Sequence, residues 1–181
     1  MIISVDKIKR LTTFPDSWTD EKIERKLLAI EQIIRTYTHN NFQNPRIRLC
    51  ADVSDSCGEL VTDDPILFDV GDTVEISESC LNKGLFEITG IDDEAGIITV
   101  SKNLMDEMNV RVTKVEYPAD VVECCMNLME WEVNMRGKVG VKSETLSRHS
   151  VTYFDQDSSN QVMGYPASLL GCLNGYKKAR F

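Results

Sequence analysis

Gly84-Leu85-Phe86-Glu87-Ile88-Thr89-Gly90-Ile91-Asp92-Asp93-Glu94-Ala95-Gly96-Ile97-Ile98-Thr99-Val100 holds two apolar alternations separated by an acidic turn. Phe86 and Ile88 flank Glu87, and Ile98 and Val100 flank Thr99. That period of two places one face of a strand inward. Gly96 stands where the turn needs positive φ, which glycine adopts without a Cβ clash. The stretch reads as a β-hairpin.

The same alternation continues on both sides. Ile47, Leu49 and Ala51 precede it with Val74 and Ile76, and Val110, Val112 and, after a shift, Val115 follow. Asp63-Asp64-Pro65, Gly71-Asp72 and Asn82-Lys83-Gly84 punctuate the runs. Five or six short strands within about 70 residues predict a compact antiparallel barrel or sandwich.

Further out the period becomes helical. Residues 5–12 read as a short helix stopped before Pro15. Thr19 or Asp20 can cap a longer one, whose buried stripe is Ile23, Leu27, Ile30, Ile34 and Tyr37, widened by Leu28 and Ile33. It ends near His39-Asn40-Asn41. After Pro118, one face carries Val121, Val122, Cys125, Leu128, Met129 and Glu132, while Met126, Trp131, Val133 and Met135 fill others. Such a helix needs more than one packing surface, here its own bundle and a neighbouring subunit. Gly137 is placed to cap its end. Strand-like patches between Val141 and Phe154 have no pairing partner nearby, and Asp155–Asn160 reads as a polar loop. Pro166 then opens a closing amphipathic helix with Leu169, Leu170, Leu173 and Tyr176 on one face. The expected class is α+β: a small helical bundle, 1–44 and 117–181, with an inserted antiparallel β-barrel or sandwich, 45–116.

The net charge of −9 is segregated. Residues 1–44 sum to +1, residues 45–116 to −10, and residues 117–181 to zero. An acidic middle segment repels phosphates, so sequence-specific nucleic-acid binding is not expected. No apolar run approaches the 18 or so residues that span a bilayer, and no signal peptide is evident, so no membrane association is expected. The six cysteines, Cys50, Cys57, Cys80, Cys124, Cys125 and Cys172, lack any regular framework and are expected to be reduced. With no C-x-x-C pair and only His39 and His149 as imidazoles, no metal is expected. Nucleotide-binding and hydrolase motifs are absent, and no cofactor is expected. A thiol–imidazole pair of Cys124 and His149 is the one catalytic arrangement to weigh, but Cys124-Cys125 sit mid-helix among apolar neighbours, which suits inert thiols.

Two regions carry a family resemblance. One is Ile8-Lys9-Arg10-Leu11 with the helix from Asp20 to Ile34. The other is Val141-Lys142-Ser143-Glu144-Thr145-Leu146-Ser147-Arg148-His149-Ser150-Val151-Thr152-Tyr153, followed by Gly164-Tyr165-Pro166, a leucine-bearing segment and the basic end Lys177-Lys178-Ala179-Arg180. In this order the chain resembles the head–tail connector proteins of long-tailed bacteriophages, also called neck adaptors or head-completion proteins. The resemblance implies a homo-oligomeric ring, commonly dodecameric, beneath the portal protein, with DNA passing through and the next neck or tail-completion protein docked on it. It places the protein in the virion neck, after assembly in the host bacterial cytoplasm. The β segment departs from the minimal all-helical connector.

In that reading the protein is structural, not an enzyme. Tyr176, Lys177, Lys178, Arg180 and Phe181 are candidates for portal contact. Lys142, Ser143, Glu144, Arg148 and Tyr153 are candidates for subunit or tail-side contact. The alternative is a non-viral interaction module whose acidic β domain binds a basic partner; an enzyme built on Cys124 and His149 is the third reading.

Overall fold

A computed structural model describes residues 1–54, 58–138, 143–146, 149–152 and 160–179. The class is α+β, and the chain divides into two compact units, Met1–Asn40 with Tyr117–Phe181, and Asn41–Glu116. The division falls at Asn41 rather than residue 45 because the first strand already begins at Gln43, ahead of the alternation at Ile47.

The helical unit begins with α1 (Val5–Leu11), capped by the Ser4 hydroxyl accepting from the Lys7 N–H. α2 (Asp20–Thr38) is capped by Thr19, whose hydroxyl accepts from the Lys22 N–H, with Asp20 and Glu21 at the positive end of the dipole. His39 closes it in the left-handed conformation at φ 50°. Ile23, Leu27, Ile30 and Ile34 form the buried stripe, while Tyr37 and Ile33 are half-buried. Leu28, expected to widen that stripe, is 49% exposed. Glu31 and Arg35 are buried in its place, because Tyr117 supplies partners for both.

α3 (Ala119–Asn134) is not capped by Gly137. Met135 ends it in right-handed geometry and a 3-10 turn, Arg136–Lys138, follows. Its several apolar sides find two surfaces within the unit: α2, and the closing segment Ala167–Tyr176. That segment corrects the expected α-helix, being 3-10 throughout. Side chains three apart eclipse in a 3-10 helix, so Leu170, Leu173 and Tyr176 line one face. Leu170 and Leu173 are fully buried, and Leu169 turns partly out. Ten residues is long for this helix type, and burying two leucines, worth about 1.5–3 kcal/mol each, offsets its poorer hydrogen bonding. A tight hairpin precedes it, in which Met163 (φ 54°) and Gly164 (φ 81°) turn β9 (Gln161–Val162) into β10 (Tyr165–Pro166). Positive φ at both central residues is the geometry whose twist suits a two-residue hairpin. Pro166 thus belongs to the hairpin and not to the first helical turn.

The second unit contains β1 (Gln43–Ser54), β2 (Glu59–Val61), β3 (Thr73–Ser77), β4 (Gly84–Asp92), β5 (Ile97–Val100) and β6 (Glu107–Val115). All pairs are antiparallel, and the order β1-β2-β5-β4-β3-β6 returns to β1, closing a barrel. The predicted hairpin is β4–β5, with Gly96 at φ 67° and the Asp92 carboxylate accepting from the Glu94 and Ala95 N–H groups in the turn. Leu60, Val74, Ile76, Ile88, Ile98, Val110 and Val112 fill the barrel. β2 escaped the sequence reading because three residues are too few to show a period. β4 pairs with β3 through residues 84–87 and with β5 through residues 88–92, where the register shifts between Ile88 and Gly90.

β7 (Ser143–Leu146) and β8 (His149–Thr152) form a two-stranded antiparallel sheet, registering Glu144 with Val151 and Leu146 with His149. This corrects the expectation that the strip lacks a partner: its two halves pair with each other. The polar loop expected at Asp155–Asn160 lies, apart from Asn160, outside the described residues.

Candidate functional site

The last turns of the chain are built onto the ends of α2 and α3. The Tyr176 hydroxyl lies 2.7 and 2.8 Å from the two carboxylate oxygens of Asp120, in the first turn of α3. This hydrogen bond favours the protonated phenol and raises its pKa. The Asn40 side-chain amide donates to the Tyr176 carbonyl at 3.2 Å, and the Lys178 N–H donates to the Thr38 carbonyl at 2.8 Å. Lys177 Nζ sits 3.8 Å above the Tyr37 ring, while the Tyr37 hydroxyl donates to Asn174 at 2.9 Å. The Lys177 ammonium is thereby held near the negative end of the α2 dipole.

The structure therefore brings Tyr176, Lys177 and Lys178 together, though not as a loose tail. Tyr176 and the Lys178 backbone are anchors within the unit, and the Lys177 and Lys178 residues remain exposed. Arg180 and Phe181 lie outside the described residues.

Of the second candidate group, Ser143 and Glu144 lie in β7, paired to Thr152 and Val151 of β8. Lys142, Arg148 and Tyr153 lie outside the described residues.

Two buried polar clusters in the helical unit were not singled out from sequence. Glu132 accepts from Tyr165 at 2.6 Å and Lys26 at 2.8 Å, and pairs with Arg136 at 2.9 Å. Burial opposes its charge most strongly, yet the Lys26 and Tyr165 hydrogen bonds, with the Arg136 and Lys26 charges, hold its carboxyl below the ordinary value. The Arg136 guanidinium lies 5.0 Å from the Trp131 ring centroid and 5.3 Å from that of Tyr165. The second cluster is Glu31, accepting from the Tyr117 hydroxyl at 2.6 Å, with Arg35 donating to the same hydroxyl at 3.4 Å. The available signal was a carboxylate placed on an otherwise apolar helical face, as Glu132 is. Such a residue demands a partner, but its identity is not a local property.

The geometry works against thiol chemistry at Cys124. Its thiol donates to the Leu169 carbonyl at 3.4 Å, and burial, reinforced by the neighbouring Cys172 thiol, pushes its pKa upward. Burial likewise pushes Cys125 up to about 12. A thiol held protonated is a poor nucleophile. Among the described residues no group of His, Cys, Asp and Glu is arranged to hold a metal ion. No described helix is long and apolar enough to cross a membrane.

No protein-family model matches this chain, and no curated protein matches it.

Proposed function

We propose that this chain is a structural connector of a bacteriophage neck, forming a ring under the portal and providing the platform on which the tail or its completion protein attaches. The work is association, with no bond made or broken. The observation that carries this reading is the β7–β8 sheet, which has two strands and pairs no further among the described residues. Two strands alone are marginally stable in water and gain stability from a surface that covers them. The resemblance to connector proteins runs through this same strip. A neighbouring subunit is the natural cover, and ring closure supplies one for every copy.

The basic end fits the second contact. Lys177 and Lys178 are presented on a base fixed by Tyr176 and Asn40. An ordered base lowers the entropy lost when the remaining residues engage a portal surface. DNA passing the ring needs no sequence-specific contact.

Electron microscopy of the purified chain with its cognate portal tests the proposal. Closed rings coaxial with the portal are expected, and they should be lost when residues 143–152 are replaced by a short Gly-Ser linker. Chains that remain monomeric beside the portal would overturn the reading.

The segregated charge favours one other reading, a module whose acidic barrel binds a basic partner. In that case the 143–152 replacement would leave partner binding intact, whereas charge reversal on the barrel would abolish it.

A further inference from the structure

We propose that Cys124 and Cys172 are the two halves of an intrachain disulfide site, which a small-molecule disulfide such as glutathione disulfide closes, locking the final 3-10 segment onto α3. Both thiols are free in this structure, Cys124 buried and Cys172 exposed. They converge on one atom. The Leu169 carbonyl oxygen accepts from the Cys124 thiol at 3.4 Å and from the Cys172 thiol at 3.6 Å. The Cys172 thiol is also close enough to hydrogen-bond that of Cys124. The adjacent Cys125 instead lies within electrostatic reach of Glu31 on α2.

Packing sets this approach before any bond forms. The Tyr176 hydroxyl on the Asp120 carboxylate, at 2.7 and 2.8 Å, fixes the register between the closing segment and α3. Four residues along α3 from Asp120 stands Cys124, and four residues back from Tyr176 stands Cys172. Leu170 and Leu173, fully buried, hold the segment in that register. Two thiols kept together by the fold meet at a high effective concentration, which favours bridging in the folded chain over the unfolded one.

Cys172, being exposed, reacts first. Its thiolate attacks one sulfur of glutathione disulfide, forming a mixed disulfide and expelling one glutathione thiolate, which takes up a proton. The Cys124 thiol then gives its proton to solvent, and its sulfur attacks that of Cys172 and expels the second glutathione. One intrachain S–S bond forms, and one glutathione disulfide is reduced to two thiols. Burial above all, with the Cys172 thiol beside it, holds Cys124 protonated, so this second step is slow and follows local opening. The same surroundings make the bridge persistent. A reductant reaches the exposed Cys172 sulfur, and attack there must expel Cys124 as a thiolate where its charge is disfavoured. Closure restrains the base from which Lys177 and Lys178 extend. The site rests on these contacts alone and does not depend on the connector reading.

The thiol–disulfide equilibrium of the full chain tests the proposal, in glutathione buffers of graded oxidised-to-reduced ratio, with and without concentrated urea. After acid quenching and alkylation, peptide mapping should show Cys124 linked to Cys172 as the dominant native bridge. Its equilibrium constant should exceed the urea value by about thirtyfold or more, as for a bridge that stabilises its fold by a typical amount. The oxidised chain should melt about 4 °C or more above the reduced one. Cys172→Ser, at an exposed position, should abolish that difference and keep the melting temperature of the reduced chain. Cys125→Ala should retain the bridge, and Cys124→Ala should lose it. Glutathione held on Cys172 with no bridge overturns the proposal. So does a bridge no more favoured in the native chain than in urea, or one that joins Cys172 to any other cysteine.

Discussion

The Tyr165 hydroxyl donates to the Glu132 carboxylate at 2.6 Å across 33 residues of sequence, and that bond ties the β9–β10 hairpin to the last turn of α3. Lys26 reaches the same carboxylate from α2. One buried acid thus joins three elements of the helical unit.

Glu132 should make stability fall on the acid side. Its folded pKa lies below the ordinary 4.5, so its contribution is fully present above about pH 4.5 and is lost as pH falls through the lowered folded value. Lys26 and Arg136 are partly exposed, which limits the charge contribution to about 1 kcal/mol. Glu132→Gln retains an acceptor for Tyr165 but no charge. Urea unfolding across pH 7 to 3 should show the wild-type advantage over Glu132→Gln shrinking as pH drops; a constant gap would refute it.

The three-residue period of the closing segment predicts unequal leucines. Leu170→Ala and Leu173→Ala should each cost about 2–5 kcal/mol, because both are fully buried. Leu169→Ala should cost distinctly less, and Tyr176→Phe should lower the melting temperature by removing the bond to Asp120. Equal losses at Leu169 and Leu170 would restore an α-helical face.

Thiol accessibility should separate the cysteines. Cys50, Cys80 and Cys172 are exposed, whereas Cys124 and Cys125 are buried with raised pKa values. Under native conditions a thiol-reactive probe should label the first three rapidly and the other two only at the rate of structural opening. Mass mapping of labelled peptides reads the result.

Asn82→Ala should loosen the tie between the β3–β4 and β5–β6 connections. It removes the partner of the Met105 carbonyl and N–H, a loss of about 1–3 kcal/mol. Hydrogen exchange should accelerate in residues 78–83 and 101–106 and stay unchanged at the β4–β5 turn.

Gly96→Ala should destabilise the barrel. The position sits at φ 67°, and an added Cβ would lie 2.4 Å from the Thr62 carbonyl oxygen, which itself belongs to backbone. Strain and displacement together should exceed about 1 kcal/mol, measurable by thermal unfolding.

Elements with a sustained period were legible. α2 showed four buried positions in register, and β4–β5 showed two alternations around a turn that only glycine closes easily. The closing segment was misjudged because Leu170 and Leu173 satisfy a 3.6-residue and a three-residue period equally; Leu169 distinguishes them only once its neighbours are known. The β7–β8 pairing was missed for a different reason. Patches of four residues are too short to identify a partner by period, although the cross-strand neighbours of Glu144 and Leu146 lie a few residues away.

By itself the sequence determined where helix gives way to strand and back, because backbone period and turn chemistry are local and repeat within a few residues. It also determined the charge imbalance between segments. Tertiary structure alone decided which polar residues enter the interior and what they bond. Glu31, Arg35 and Glu132 are tolerated there because Tyr117, Tyr165 and Lys26 arrive from distant parts of the chain. Closing the barrel likewise tied Asn82 to Met105, since strand order brings together connections that are more than 20 residues apart. A buried charge has no meaning until its neighbours are fixed, and only the fold fixes them.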